Sequence, residues 1–152
     1  MNNPNSSWVI MKSIRHLSTC CVLLFLPLLS GCGGPLTHPV HGKVVFAGSQ
    51  QAARELVSHT VTIETIGVEP GVSGIGVVTE NGTFEIGTYD LDDGAVPGKH
   101  RVTLTPPLPP VDGPEPPQLI HSRHFAFETS GWEITIESGV NEVSLQVDRP
   151  SE

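Results

Sequence analysis

The chain has 152 residues, with 8 Lys+Arg against 16 Asp+Glu and a net charge of −8. That balance argues against a nucleic-acid binder, because phosphate contacts need clustered Lys and Arg. Sixteen Gly and fourteen Pro make it turn-rich, while 16 % charged residues exclude a long helix or coiled coil; the length suits one domain.

The first element is an export signal. Lys12 and Arg15 form a positive n-region, and Leu17 to Leu29 (LSTCCVLLFLPLL) carries no charge. Such an h-region runs to about 7–15 residues, too short for a spanning helix of about 20. Pro27 also breaks a continuous helix. Leu29-Ser30-Gly31-Cys32 then resembles the lipobox of bacterial lipoproteins. Small residues admit the backbone to a peptidase cleft, and the thiol receives a diacylglycerol.

The resemblance implies a signal peptide over residues 1–31, cleavage between Gly31 and Cys32, and lipidation of Cys32. The membrane is thus a partner through that lipid. An ordinary signal peptide with a coincidental Cys is the competing reading. Gly33 stands where the familiar sorting rule places Asp for inner-membrane retention, so the expected address is the outer membrane, on its periplasmic or surface face. Met11 would open a signal of the usual length, and the sequence leaves Met1 and Met11 both open as starts.

Cleavage removes Cys20 and Cys21, and the remaining chain has six basic residues against sixteen acidic ones, a net charge of −10. No thiol is left for a disulfide or a Cys-based zinc site, so the domain depends on its apolar core. The acidic surface disfavours binding to anionic lipid, leaving the anchoring to the lipid on Cys32.

Residues 32–39 (CGGPLTHP) read as a short tether, and residues 40–148 as one β domain. Val40 to Phe46 alternates, with Val40, Gly42, Val44 and Phe46 on one face and His41, Lys43 and Val45 on the other. Gln50 to Leu56 is the one stretch suited to a helical turn. His59 to Ile66 places Val61, Ile63 and Thr65 on one face. Ser73 to Thr79 and Gly82 to Thr88 read as a hairpin, its Asn81-Gly82 turn of type I′. Pro97-Gly98 turns the chain into His100 to Thr105, with Val102 and Leu104 inward.

Seven of the twelve residues from Pro106 to Pro117 are proline, which predicts an extended polyproline II loop and excludes a central strand. It is read as a stiff connection, with docking to a partner's aromatic groove as the sharper alternative. Trp132, Ile134 and Ile136 share a face, as do Val143, Leu145 and Val147, with a turn at Gly139. The predicted fold is an all-β, seven-stranded, two-sheet sandwich. Its predicted core is Val44, Phe46, Val61, Ile63, Phe84, Ile86, Val102, Leu104, Ile134, Ile136, Val143, Leu145 and Val147.

The order Pro39-Val-His-Gly-Lys-Val, Thr79-Glu-Asn-Gly-Thr-Phe84, Gly94-Ala-Val-Pro-Gly-Lys99-His-Arg-Val-Thr-Leu-Thr-Pro-Pro107 and Thr129-Ser-Gly131 before a closing hairpin resembles one family. These are the small lipoproteins abundant in planctomycetes that carry a carboxypeptidase regulatory-like domain. The resemblance spans about residues 39–148 and implies a transthyretin-like sandwich with no zinc ligands of its own. Its motifs are structural and not catalytic. Two departures stand out: His100 occupies the place usually held by Tyr, and residues 110–127 match poorly.

No enzyme constellation emerges from the sequence. Gly71-Val72-Ser73-Gly74-Ile75 lacks the last Gly of a nucleophile elbow, and Gly74-Ile75-Gly76-Val77-Val78-Thr79 lacks the last Gly of a dinucleotide fingerprint. No catalytic residue, cofactor or metal ligand is assigned. His38-x-x-His41 and His121-x-x-His124, with His59 and His100, keep a metal-handling role open. Along a strand, however, i and i+3 point to opposite faces, so each pair could chelate only in a turn or helix; His121 and His124 read as loop residues, His38 and His41 straddle a strand start, and solvated histidines are expected. Asp90-Leu91-Asp92-Asp93-Gly94 resembles the start of a calcium loop, but position twelve is Arg101 where a Glu is needed, and a solvated acidic turn is expected.

Trp132 is expected in the core; facing solvent, it would instead stack on a sugar. Phe125 and Phe127 share a phase and are expected to cover an edge or end of the sandwich. The sequence as a whole points to a lipid-anchored, non-enzymatic binding or structural module of the cell envelope, its partner an envelope protein or glycan. The rivals are a carbohydrate- or peptidoglycan-binding module and a metal-handling lipoprotein.

Overall fold

The structure is a computed structural model and describes residues 36–150. Seven strands run through it: β1 (Val40–Phe46), β2 (Thr60–Thr65), β3 (Ser73–Val77), β4 (Thr83–Glu85), β5 (Gly98–Thr105), β6 (Trp132–Ile136) and β7 (Asn141–Val147). They form a three-stranded sheet ordered β4-β1-β7 and a four-stranded sheet ordered β3-β2-β5-β6. The chain is therefore an all-β sandwich of seven strands. Among the described residues, helix is limited to 3-10 turns at Arg54–Leu56 and Ser122–Phe125 and to α1 (Phe127–Ser130). The first of these turns lies within the predicted Gln50–Leu56 stretch and drives Leu56 into the core.

The period-2 alternation produces the core directly. Val44, Val61, Ile63, Phe84, Ile86, Val102, Leu104, Ile136, Leu145 and Val147 are all buried, with Phe46 at the margin. Each such side chain contributes about 1.5–3 kcal/mol on burial. Ile134 and Val143 are only half-buried. Both sit on outermost strands, β6 and β7, where one flank of the sheet has no neighbour. Val45, predicted outward, is buried. The chain after β1 returns to pair Ala52 with Val45 and donates Ala53 N–H to the Val44 carbonyl, closing over that end of the strand.

The turn at Asn81-Gly82 is present, but it is not type I′. Gly82 has a φ of 76° while Asn81 keeps a negative φ. Gly82 N–H donates to Thr79 O at 2.9 Å and Thr79 N–H to Thr83 O at 2.8 Å. The connection is thus a type I turn followed by a left-handed glycine. Past it the two strands part into different sheets. β4 pairs antiparallel with β1 (His41↔Glu85, Gly42↔Phe84, Lys43↔Thr83), and β3 pairs with β2. Just past β4 the chain bridges back to β3 at Ile75–Gly87.

Two glycines make this corner possible. A Cβ on Gly42 would lie 2.0 Å from the Phe84 ring, so the ring occupies the space that Gly42 leaves. A Cβ on Gly76 would lie 2.3 Å from the Glu85 carbonyl, so only glycine lets β3 come this close to β4.

The expected closing hairpin is also a crossing between sheets. β6 pairs antiparallel with β5, whereas β7 pairs parallel with β1 from Val40↔Asn141 to Phe46↔Val147. The turn holds without a ladder because Asn141 replaces it. Its Oδ1 accepts from Glu137 N–H at 2.9 Å, and its Nδ2 donates to the carbonyls of Glu137 and Gly139, each at 3.0 Å.

β1 separates two poles by about 20 Å, at roughly 3.3 Å per residue. The chain enters at the Val40 end, where His38 pairs with Ala95 and Asn141 N–H donates to Pro39 O. At the opposite pole β5 ends at Thr105, opposite the start of β2, and β7 ends at Val147. The long β5–β6 connection leaves from that second pole. It is fixed there again where His121 N–H donates to Asp148 O at 2.9 Å.

Candidate functional site

Cys32, the one predicted modification residue, lies outside the described residues, as does the whole signal segment. The predicted sites that can be placed are the histidines, the acidic turn, Trp132 and the proline-rich loop.

His121 and His124 are not on a strand. They lie on the 3-10 turn Ser122–Phe125, of which His121 is the N-cap. The i,i+3 spacing therefore does not separate them by strand alternation; their hydrogen bonds divide them instead. His121 Nδ1 accepts from Arg123 N–H at 3.1 Å. His124 is fully buried, and its Nε2 accepts from Asp148 N–H at 3.3 Å. That bond puts the proton of the neutral ring on Nδ1, which has no partner among the described residues.

The His124 ring stacks on Trp132, with centroids 4.2 Å apart and planes 10° apart. Burial, with help from Arg123 beside it, pushes the His124 pKa down, against the opposing pull of Asp148. Arg123 in turn holds the Asp148 carboxylate. Trp132 is therefore half-buried between the core and an imidazole, with one ring face covered by His124. Phe125 packs on the core, and Phe127 lies under Arg101, whose guanidinium carbon is 4.6 Å from the ring centroid.

The other histidines are spread out. His59 and His100 are buried, just before β2 and within β5, and burial lowers both pKa values. His100 Nδ1 is 3.1 Å from Gly98 O. Its ring fills the inward position where the resemblance places Tyr. His38 Nδ1 accepts from Gly139 N–H at 3.3 Å. His41 lies on the outer face of the three-stranded sheet, 3.3 Å from Glu85, with Glu142 its register neighbour on the other side. Among the described residues, no three His, Cys, Asp or Glu side chains converge where they could hold a metal ion.

The acidic turn has an internal use. Asp93 Oδ1 accepts from Thr88 N–H at 2.6 Å, and Asp93 Oδ2 accepts from Tyr89 N–H at 3.3 Å. Thr88 Oγ1 donates to Gly94 O at 2.7 Å. Asp93 thus folds the turn on itself, while Asp90 and Asp92 stay exposed.

Residues 106–117 contain no strand and stay almost entirely in solvent. One ion pair that no motif announces orders the sheet surface. Arg101 Nε donates to Glu64 Oε2 at 2.8 Å across the β2–β5 register pair. Opposite charges at like phase on neighbouring strands are its only sequence signal.

No family model matches the chain, and no curated protein matches it. Among solved structures it is similar to a 9R-lipoxygenase from Cyanothece PCC8801, with 17 % identity and a TM-score of 0.37. The match covers 74 % of this chain and 16 % of that one, so the chain spans about a sixth of the lipoxygenase, and the likeness carries no argument about activity.

Proposed function

We propose that this chain is a lipid-anchored, extracytoplasmic β-sandwich module with a non-enzymatic binding or structural role in the cell envelope. The observation that carries it is the order of a basic n-region, a charge-free h-region and Leu29-Ser30-Gly31-Cys32 ahead of one compact domain. We place it with the planctomycete-type lipoproteins of the transthyretin-like, carboxypeptidase regulatory-like kind, and Gly33 favours the outer membrane. In support of a non-catalytic reading, His124, Asp148 and Trp132 are tied to one another, and Asp93 is spent on its own turn. The covered face of Trp132 weighs against the sugar-stacking rival.

The test is metabolic labelling with an alkyne fatty acid. The wild-type chain is expected to take up label and Cys32→Ala to take up none. Equal labelling of the two removes the anchor and this reading with it.

A further inference from the structure

We propose that the proline-rich loop Pro106–Pro117 is the docking surface of this module, and that it fits an aromatic-lined groove with a basic rim on another envelope protein. Five observations carry this. Leu108, just before the Pro110–Gly113 turn, and Val111, within it, are 93 % and 99 % exposed, although both are large apolar side chains. Seven of the twelve residues lack an N–H, so a partner cannot add the segment to a sheet edge. What remains readable is the proline rings on either side of the turn that Gly113 N–H closes on Pro110 O, the two apolar side chains and carbonyls without partners. Apart from Pro110, no carbonyl between Pro106 and Pro117 has a hydrogen-bond partner among the described residues. Grooves lined by aromatic side chains read that combination, and the chain gives up little entropy on binding because proline has already fixed it.

The charge sets the rim. Asp112 and Glu115 are the only charged residues between Pro106 and Ile120, so the complementary partner carries Lys or Arg beside its aromatics. Place completes the argument. The loop is held at both ends, by Thr105 on β5 and by the His121–Asp148 bond past β7, at the pole opposite the one where the chain enters at Val40. That the partner is an envelope protein rests on the proposed anchor at Cys32.

The test is photo-crosslinking in cells expressing the full chain, with a benzophenone amino acid placed at Leu108, Val111 or Leu91. Leu91 is the control, 90 % exposed in the β4–β5 connection at the entry pole. Positions 108 and 111 are expected to give one protein adduct of the same size, mapped to a peptide bearing aromatic and basic residues. The adduct should fall at least tenfold when a synthetic peptide of residues 105–118 is added to permeabilised cells, and equally with Pro107→Ala/Pro110→Ala.

Thermal melting of that double variant, expected unchanged, separates lost docking from lost fold. No adduct at either position, equal adducts at Leu91, or adducts that the peptide leaves intact would overturn the proposal. Fatty-acid labelling of the same cells reads the anchor separately: adducts without label would overturn the anchor and leave the docking surface standing.

Discussion

At the scale of single residues, Gly42 and Phe84 act as one unit. The ring of Phe84 lies where a Cβ on Gly42 would stand, and it is buried in the core. Phe84→Ala is expected to cost about 3–5 kcal/mol, as truncation of a buried aromatic does. Gly42→Ala should also destabilise, because the Phe84 ring must move to admit the methyl group. The diagnostic is their coupling. In the Phe84→Ala background the space is empty, so Gly42→Ala should cost much less than it does alone. Urea unfolding of the two single variants and the double variant measures this. Strictly additive effects would show that the ring does not fill the Gly42 space. Nothing local to Gly42 in the sequence names the ring that fills its space, because Phe84 lies more than forty residues away.

At the scale of elements, the connections decide more than the strands. The β6–β7 turn crosses between sheets with Asn141 serving both of its sides. Asn141→Ala removes an acceptor for Glu137 N–H and a donor to two carbonyls, and is expected to cost about 1–2 kcal/mol at this partly exposed site. A Ser138→Ala change in the same turn, where the side chain makes no hydrogen bond among the described residues, should stay within about 0.5 kcal/mol. Thermal melting of both variants tests the assignment; equal effects would refute it. The β3–β4 connection shows why turn chemistry alone misled. Asn-Gly marks a reversal of the chain, yet the partner each strand then takes depends on burial of Phe84 against β1, which no local pattern encodes.

At the scale of the whole molecule, three imidazoles are shut inside a domain that has no disulfide to hold it. His59, His100 and His124 all have pKa values lowered by burial from an ordinary value near 6.5. The unfolded chain therefore binds protons at a higher pH than the folded one. Stability should hold above about pH 6.5 and fall as the pH drops below it, flattening only after the lowered folded-state values are passed. Each histidine adds at most about 1.4 kcal/mol per pH unit to the slope. Urea midpoints between pH 7.5 and 5 should show the decline. His100→Tyr, which removes one titrating group while keeping a large ring inward, should make it shallower by about a third. A profile flat over this range would show that the rings titrate alike in both states.

The sequence by itself determined the strands, because a period of two writes burial into every second residue, and local alternation needs no knowledge of partners. It determined that residues 106–117 stay out of the sheets, because proline lacks the ladder donor wherever it is placed. Tertiary structure alone decided which strands pair. Two apparent hairpins opened into crossings between sheets, and β7 ran parallel to β1. Pairing between residues a hundred positions apart is chosen by how whole faces close on each other, not by any turn. The same long-range closure buried His124 against Trp132 and tied it to Asp148. Spacing alone had left His121 and His124 as a candidate chelating pair; the fold made one a cap and the other a core residue.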